Sequence, residues 1–150
     1  MTDPFYYEDL AVGQTFGTAT ITVEPGQIKA FAAEFDPQPF HLDDAAASVS
    51  FFGGLVASGW HTAALSMKLL VAGELKIVGG LIGPGAEELR WPRPVRPGDV
   101  LRVVSEVLDL RRSKSQPDRG IVRVRNTTLN QDGQPVMVAI ANMVVPCRRS

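Results

Sequence analysis

The second half of the chain consists of four runs of β-forming residues separated by turn signals, and this pattern restricts the possible folds more than any other. The runs are rich in Val, Leu, Ile and Thr and lie at 86–91, 100–110, 120–130 and 135–145. Asp132-Gly133, between the last two runs, is typical of a hairpin turn, and Pro97-Gly98-Asp99 marks another turn. We therefore expect antiparallel strands joined by short connections.

The first half predicts a helix that ends near Phe35, after a short β-like run at 14–21. Thr22 is the expected N-terminal cap of this helix. Its apolar face follows the i, i+3, i+4, i+7 spacing through Ile28, Phe31, Ala32 and Phe35. We take it as the candidate central helix of the fold.

A second helix is expected from Ser58-Gly59 to about Ala72, with Gly73 as its stop. One side of this helix carries Trp60, Ala64, Met67 and Val71. Two early helices followed by several antiparallel strands favour an α+β architecture with the helices on one face of the sheet.

Length and composition agree with one domain over residues 1–150, because a chain of this length with 45% hydrophobic residues can bury one core. The formal net charge of −1 gives no overall attraction to nucleic acid or to an anionic membrane. Lys68, Glu74 and Lys76 interrupt the most apolar stretch, so no membrane span is expected.

Cysteine content points to a reducing compartment. Cys147 is the only cysteine, which excludes an internal disulfide and a cysteine-based metal site. Residues 1–9 lack the basic and apolar regions of a signal peptide. We therefore expect a cytoplasmic location.

The segment from Asp36 to His41 is the part of the chain best suited to chemistry. It reads Asp-Pro-Gln-Pro-Phe-His, so a carboxylate and an imidazole lie five residues apart on a loop stiffened by two prolines. Such a pair can share one water and move its protons. The spacing alone leaves a plain alternative, in which Asp36 ends a helix and His41 is a partly buried loop residue.

The surrounding sequence resembles the hydratase motif of the MaoC-like dehydratases, a family that includes the (R)-specific enoyl-CoA hydratases. Asp36, Pro39, Phe40 and His41 match the family pattern, as does Gly59 in the later Ala-Ser-Gly-Trp-His segment. Gln38 departs from it, because asparagine is usual at that position. The resemblance implies a hot-dog fold, in which an antiparallel sheet wraps around a central helix.

The same resemblance implies reversible addition of water to a trans-2-enoyl-CoA, which gives a (R)-3-hydroxyacyl-CoA. Asp36 and His41 would activate the water and deliver the proton, and the backbone N–H of Gly59 would stabilise the charge on the thioester oxygen. Without the family, Gly59 reads more simply as a glycine that begins a helix. No cofactor or metal is expected, since coenzyme A is part of the substrate.

The thioester carrier is expected to be coenzyme A or an acyl carrier protein, and a homodimer is the expected assembly. Two alternatives stay open: a hot-dog acyl-CoA thioesterase and a non-catalytic dimer that binds acyl thioesters. A basic cluster is open to two interpretations, either contacts with coenzyme A phosphates or a solvated strand face. Its members are Arg111, Arg112, Lys114, Arg119, Arg123 and Arg125.

Overall fold

The antiparallel strands expected in the second half form one sheet. A computed structural model describes residues 3–149, and its strands run in the order β1-β4-β5-β6-β3, with β2 also paired to β4. The strand bounds are Thr15–Phe16 (β1), Ile21–Thr22 (β2), Gly85–Arg90 (β3), Val100–Arg112 (β4), Arg119–Leu129 (β5) and Pro135–Pro146 (β6). The α+β prediction is confirmed, although the run predicted at 14–21 is two short strands.

The hairpin predicted at Asp132-Gly133 joins β5 to β6. Gly133 has φ +72°, a conformation that glycine adopts without steric cost, and the Asn130 side chain accepts hydrogen bonds from the N–H groups of Asp132 and Gln134. Residues of β5 alternate in burial, so that Val122 and Val124 face the core.

Four α-helices lie among the described residues: α1 (Pro25–Phe35), α2 (Pro39–Leu42), α3 (Asp44–Ser48) and α4 (Gly59–Ala72). A 3-10 helix at Tyr7–Asp9 precedes them. The bounds of the second predicted helix are confirmed, with Ser58 as its N-cap and Gly73 as its C-cap. The cap predicted for the first helix is wrong. Thr22 lies in β2, and Glu24 is the N-cap because Pro25 occupies the first helical position.

The central helix of the fold is α4, and the expectation that α1 would be central is wrong. Leu65, Leu69 and Leu70 of α4 are buried in the core, and its Ser66 hydroxyl lies 2.6 Å from the Thr128 hydroxyl of β5. Helix α1 packs mainly against α2 and α4, and Phe35 at its end is 64% exposed. The sheet therefore wraps around α4, which is the expected hot-dog arrangement.

The exposed face of α4 also carries large apolar side chains. Trp60, Met67 and Val71 are 60%, 53% and 56% exposed, whereas Thr62 and Ser66 are buried. The buried face tolerates these hydroxyls because both donate hydrogen bonds to backbone carbonyls one turn earlier.

Within residues 3–149, no helix has the length and apolar character needed to cross a membrane.

Candidate active site

Asp36 and His41 lie close together because two prolines restrict the short segment between them. Helix α1 ends at Asp36, which stands before Pro37 and is not helical (φ −153°, ψ 66°). Gln38 is extended, and Pro39 then begins α2, whose third residue is His41. This path places His41 Nε2 at 3.3 Å from Asp36 Oδ2.

The tautomer of His41 follows from its second ring nitrogen. Nδ1 lies 2.6 Å from the carbonyl oxygen of Val56, which can only accept a hydrogen bond, so Nδ1 carries a proton. The backbone N–H of Val56 donates in turn to the carbonyl of Phe40. His41 is thereby fixed in a buried position, 5% exposed, with Nε2 directed at Asp36.

The environment of Asp36 keeps its carboxylate ionised. Burial raises the pKa of Asp36, but hydrogen bonds from Ser58 and Gln38 and the charge of His41 outweigh it and hold the pKa below its usual value. The Gln38 amide nitrogen lies 2.6 Å from Asp36 Oδ1. Asp36 is therefore suited to accept hydrogen bonds from water.

Gly59 is the first residue of α4, where its N–H points away from the helix. This N–H donates to no acceptor within residues 3–149, so it is available at a helix N-terminus, where the helix dipole favours an anion. The lack of a side chain at Gly59 allows close packing against Trp91. A Cβ atom at Gly59 would lie 2.7 Å from the indole of Trp91, whose Nε1 donates to the Gly59 carbonyl.

We predict that Gly59→Ala destabilises the protein through Trp91. Overpacking typically costs about 1–3 kcal/mol, whereas alanine in a helix is otherwise favoured over glycine by about 0.5–1 kcal/mol. The sign of the effect should therefore reverse when Trp91 is replaced by Ala. Denaturant unfolding of the wild type, the two single variants and the double variant measures this coupling, and an equal cost in both backgrounds would contradict the assignment.

Asp36, His41 and Gly59 line one cavity of about 410 Å³. Its wall is largely aromatic, formed by Phe40, Phe51, Phe52, Trp60 and Trp91. Sequence reasoning did not assign Trp91 to the site, although the Trp-Pro-Arg-Pro segment that follows β3 is a rigid signal of the kind that shapes cavities. The structure brings together all three predicted residues, and their catalytic roles stay predictions.

His61, the second histidine, lies apart from this cavity. Its ring stacks on Phe31 of α1 at 4.8 Å, and burial lowers its pKa. Its Nδ1 is buried without a hydrogen-bond partner within residues 3–149. His61 is thus a packed residue between α1 and α4.

Across residues 3–149, no cluster of three or more His, Cys, Asp or Glu side chains could hold a metal ion.

The predicted basic cluster does not line the cavity. Arg112, Arg123 and Arg125 form ion pairs with Glu8, Glu87 and Glu106. These pairs favour the interpretation of a solvated strand face over contacts with phosphates. The cation that does line the cavity is Arg93, which projects from the segment after Trp91.

Comparison with known proteins agrees with this geometry. A family model described as "MaoC like domain" matches residues 9–130. The crystal structure of the MaoC-like dehydratase from Rhodospirillum rubrum is 55% identical and has a TM-score of 0.94, covering 97% of this chain and 99% of that one.

Two further relatives are similar over most of their length. The unliganded (R)-hydratase PhaJ1 from Pseudomonas aeruginosa is 31% identical with a TM-score of 0.73, covering 95% of this chain and 86% of that one. The uncharacterized protein YdeM from Bacillus subtilis is 39% identical over 129 residues, which are 83% of this chain and 86% of that protein. The chain therefore belongs to the MaoC-like dehydratase family.

Proposed function

We propose that the protein is an enoyl-thioester hydratase/dehydratase, which adds water to a trans-2-enoyl-CoA to give a (R)-3-hydroxyacyl-CoA and catalyses the reverse reaction. The observation that carries the proposal is the 3.3 Å approach of His41 Nε2 to Asp36 Oδ2 in a cavity that Gly59 also lines. Within residues 3–149, the Gly59 N–H has no acceptor. These groups supply the acid–base pair and the oxyanion donor that the reaction needs.

In the hydration direction, Asp36 accepts a hydrogen bond from the water and His41 Nε2 takes its proton. The water oxygen forms a bond to C3, and the electrons of the double bond move through C2 to the thioester oxygen. His41 then returns the proton to C2, so that one water supplies both added groups. The tautomer fixed by Val56 suits this role, because it leaves the Nε2 lone pair free in the neutral ring.

The negative charge that develops on the thioester oxygen needs a donor that is already in place. Gly59 N–H at the start of α4 meets this need, since it has no acceptor within the described residues and the helix dipole favours an anion at the same helix end. Removal of one such donor in other enzymes costs about 2.7–4 kcal/mol of transition-state stabilisation.

The acyl chain has a place beside α4. A second, largely apolar cavity of about 470 Å³ lies between this helix and the sheet. Its α4 residues, Ala63, Ser66, Met67 and Leu70, continue the helical flank on which Gly59 and Thr62 line the first cavity. The cavity exists because the facing strand positions include Ala139 and Ala141. The proposed carrier is coenzyme A or an acyl carrier protein.

A homodimer is the proposed assembly. Strand β3 ends the sheet and has an unpaired edge within the described residues, and such edges are usually covered. Trp60, Met67 and Val71 form an exposed apolar face on α4, and Leu89 of β3 is 36% exposed. A second copy of the chain would bury these side chains and pair the free edge.

The proposal predicts hydration of trans-2-enoyl-CoAs by the wild type, with a (R)-alcohol as the product. A panel of acyl-chain lengths, with chiral analysis of the product and a parallel assay for free thiol, tests it. Release of coenzyme A without hydration would replace the proposal with a thioesterase. Tight binding of acyl-CoA with neither reaction would identify a binding protein.

A further inference from the structure

Asp36 is held by two side chains for which the proposed mechanism has given no role. Gln38 donates from its amide to Oδ1 at 2.6 Å, and the buried Ser58 lines the same cavity as this carboxylate. Gln38 is also the position at which the chain departs from the asparagine usual in the family. Gln38 holds Oδ1, whereas His41 Nε2 approaches the other oxygen, Oδ2, at 3.3 Å.

The reach of Gln38 follows from the backbone. Asp36 is not extended (ψ 66°), and the chain makes a tight turn at Pro37, whose ring restricts the backbone between Asp36 and Gln38. The Gln38 N–H also donates to the Asp36 carbonyl at 2.8 Å. Main chain and side chain of Gln38 therefore hold the same residue.

Ser58 reaches Asp36 from a different element. Its hydroxyl oxygen accepts from the Trp60 N–H at 3.3 Å as the N-cap of α4, which leaves its single proton for the carboxylate. Ser58 is completely buried, so no water competes for this proton. It stands directly before Gly59 and so joins the acid–base pair to the proposed oxyanion donor.

We propose that Gln38, together with Ser58, is a positioning residue, which holds the Asp36 carboxylate so that Oδ2 stays directed at His41 and the attacking water. Without them, the carboxylate at the free end of α1 can rotate about its side-chain bonds. The charged groups that face it in the cavity are His41, which approaches Oδ2, and Arg93, which forms no ion pair with it within residues 3–149. The inference rests on the proposed role of Asp36.

The decisive variant is Gln38→Met, which keeps the side-chain length and removes the donor. Gln38 is exposed, so the variant is expected to fold. We expect kcat/KM for the best enoyl-CoA to fall about tenfold, and the acid limb of its pH profile to move to higher pH, since a carboxylate with fewer donors binds a proton more readily. Ser58→Ala should move the limb in the same direction.

Gln131 supplies a matched control. Its amide donates to the Asp99 carboxylate at 3.0 Å, in a turn region that does not line the cavity. Gln131→Met removes the same type of bond, together with the acceptor of the Val100 N–H, and should leave the acid limb in place. An equal movement of the limb in Gln131→Met, or none in Gln38→Met and Ser58→Ala, would overturn the proposal.

Carboxyl-carbon NMR titration of Asp36 separates this inference from the proposed function. The titration needs no substrate, and the Asp36 signal should titrate at higher pH in Gln38→Met and Ser58→Ala than in the wild type. If the protein hydrates no thioester but the titration shifts as expected, the positioning contacts stand and the hydratase proposal fails. An unchanged titration in both variants refutes the positioning role whether or not the protein hydrates enoyl-CoAs.

Discussion

Replacement of Asp36 by Asn should lower the rate of hydration by about 10²- to 10⁴-fold, the range that general acid–base groups typically contribute. Asparagine has the shape of aspartate and can still accept the hydrogen bond from Gln38, so the loop should keep its path. What it loses is the negative charge that orients the water toward C3 and stabilises a protonated His41. Steady-state hydration of the best trans-2-enoyl-CoA measures the effect.

Asp43 provides the control for this substitution. It lies two residues after His41, and its carboxylate caps α3 by accepting from the N–H groups of Ala45 and Ala46. Asparagine is about as good an N-cap as aspartate, so Asp43→Asn should keep both stability and turnover. A loss of turnover in Asp43→Asn as large as in Asp36→Asn would show that any charge change in this loop is damaging. Full activity of Asp36→Asn would remove Asp36 from the mechanism.

The elements that the sequence predicts well are those whose signals are local. The four late strands follow from runs of β-forming residues and from turns such as Asp132-Gly133. The bounds of α4 follow from Ser58 at one end and Gly73 at the other. In each case the residues that decide the structure lie within or beside the element itself.

The central position of α4 could not be read from periodicity. Both early helices carry an apolar face, but the face of α4 that holds Trp60 and Met67 is exposed, and its buried face contains Thr62 and Ser66. Burial of those hydroxyls depends on partners such as Thr128, which is 62 residues from Ser66. Large apolar side chains on the exposed face, and hydroxyls buried among leucines on the other face, depart from the pattern that periodicity assumes.

The site, like the fold, has features that the sequence predicts and features that it does not. Two prolines restrict the segment between Asp36 and His41, so the sequence predicts that these two side chains lie together. The bond from His41 to Val56 spans 15 residues, and the one from Trp91 to Gly59 spans 32. These contacts fix the tautomer and explain the glycine, and they depend on tertiary packing that no local pattern reports.

His41 is expected to be as important for turnover as Asp36, and two amide substitutions can separate its two roles. The amide nitrogen of Asn matches the position of Nδ1, whereas that of Gln matches the position of Nε2. His41→Asn should therefore keep the hydrogen bond to the Val56 carbonyl while removing the proton carrier. Both variants should lose about 10²- to 10⁴-fold in hydration rate, because neither amide takes a proton near neutral pH.

Stability should distinguish the two variants where activity does not. His41→Gln leaves the buried Val56 carbonyl without its partner, which typically costs about 1–3 kcal/mol, and each kcal/mol lowers Tm by roughly 2–4 °C in a domain of this size. His41→Asn should therefore melt at a higher temperature than His41→Gln. His61→Asn is the control, because His61 is equally buried but does not line the cavity, and it should keep turnover within about tenfold of wild type. If His41→Asn retained wild-type turnover, Nε2 would not carry the proton, and the chemistry would have to be assigned to Asp36 alone.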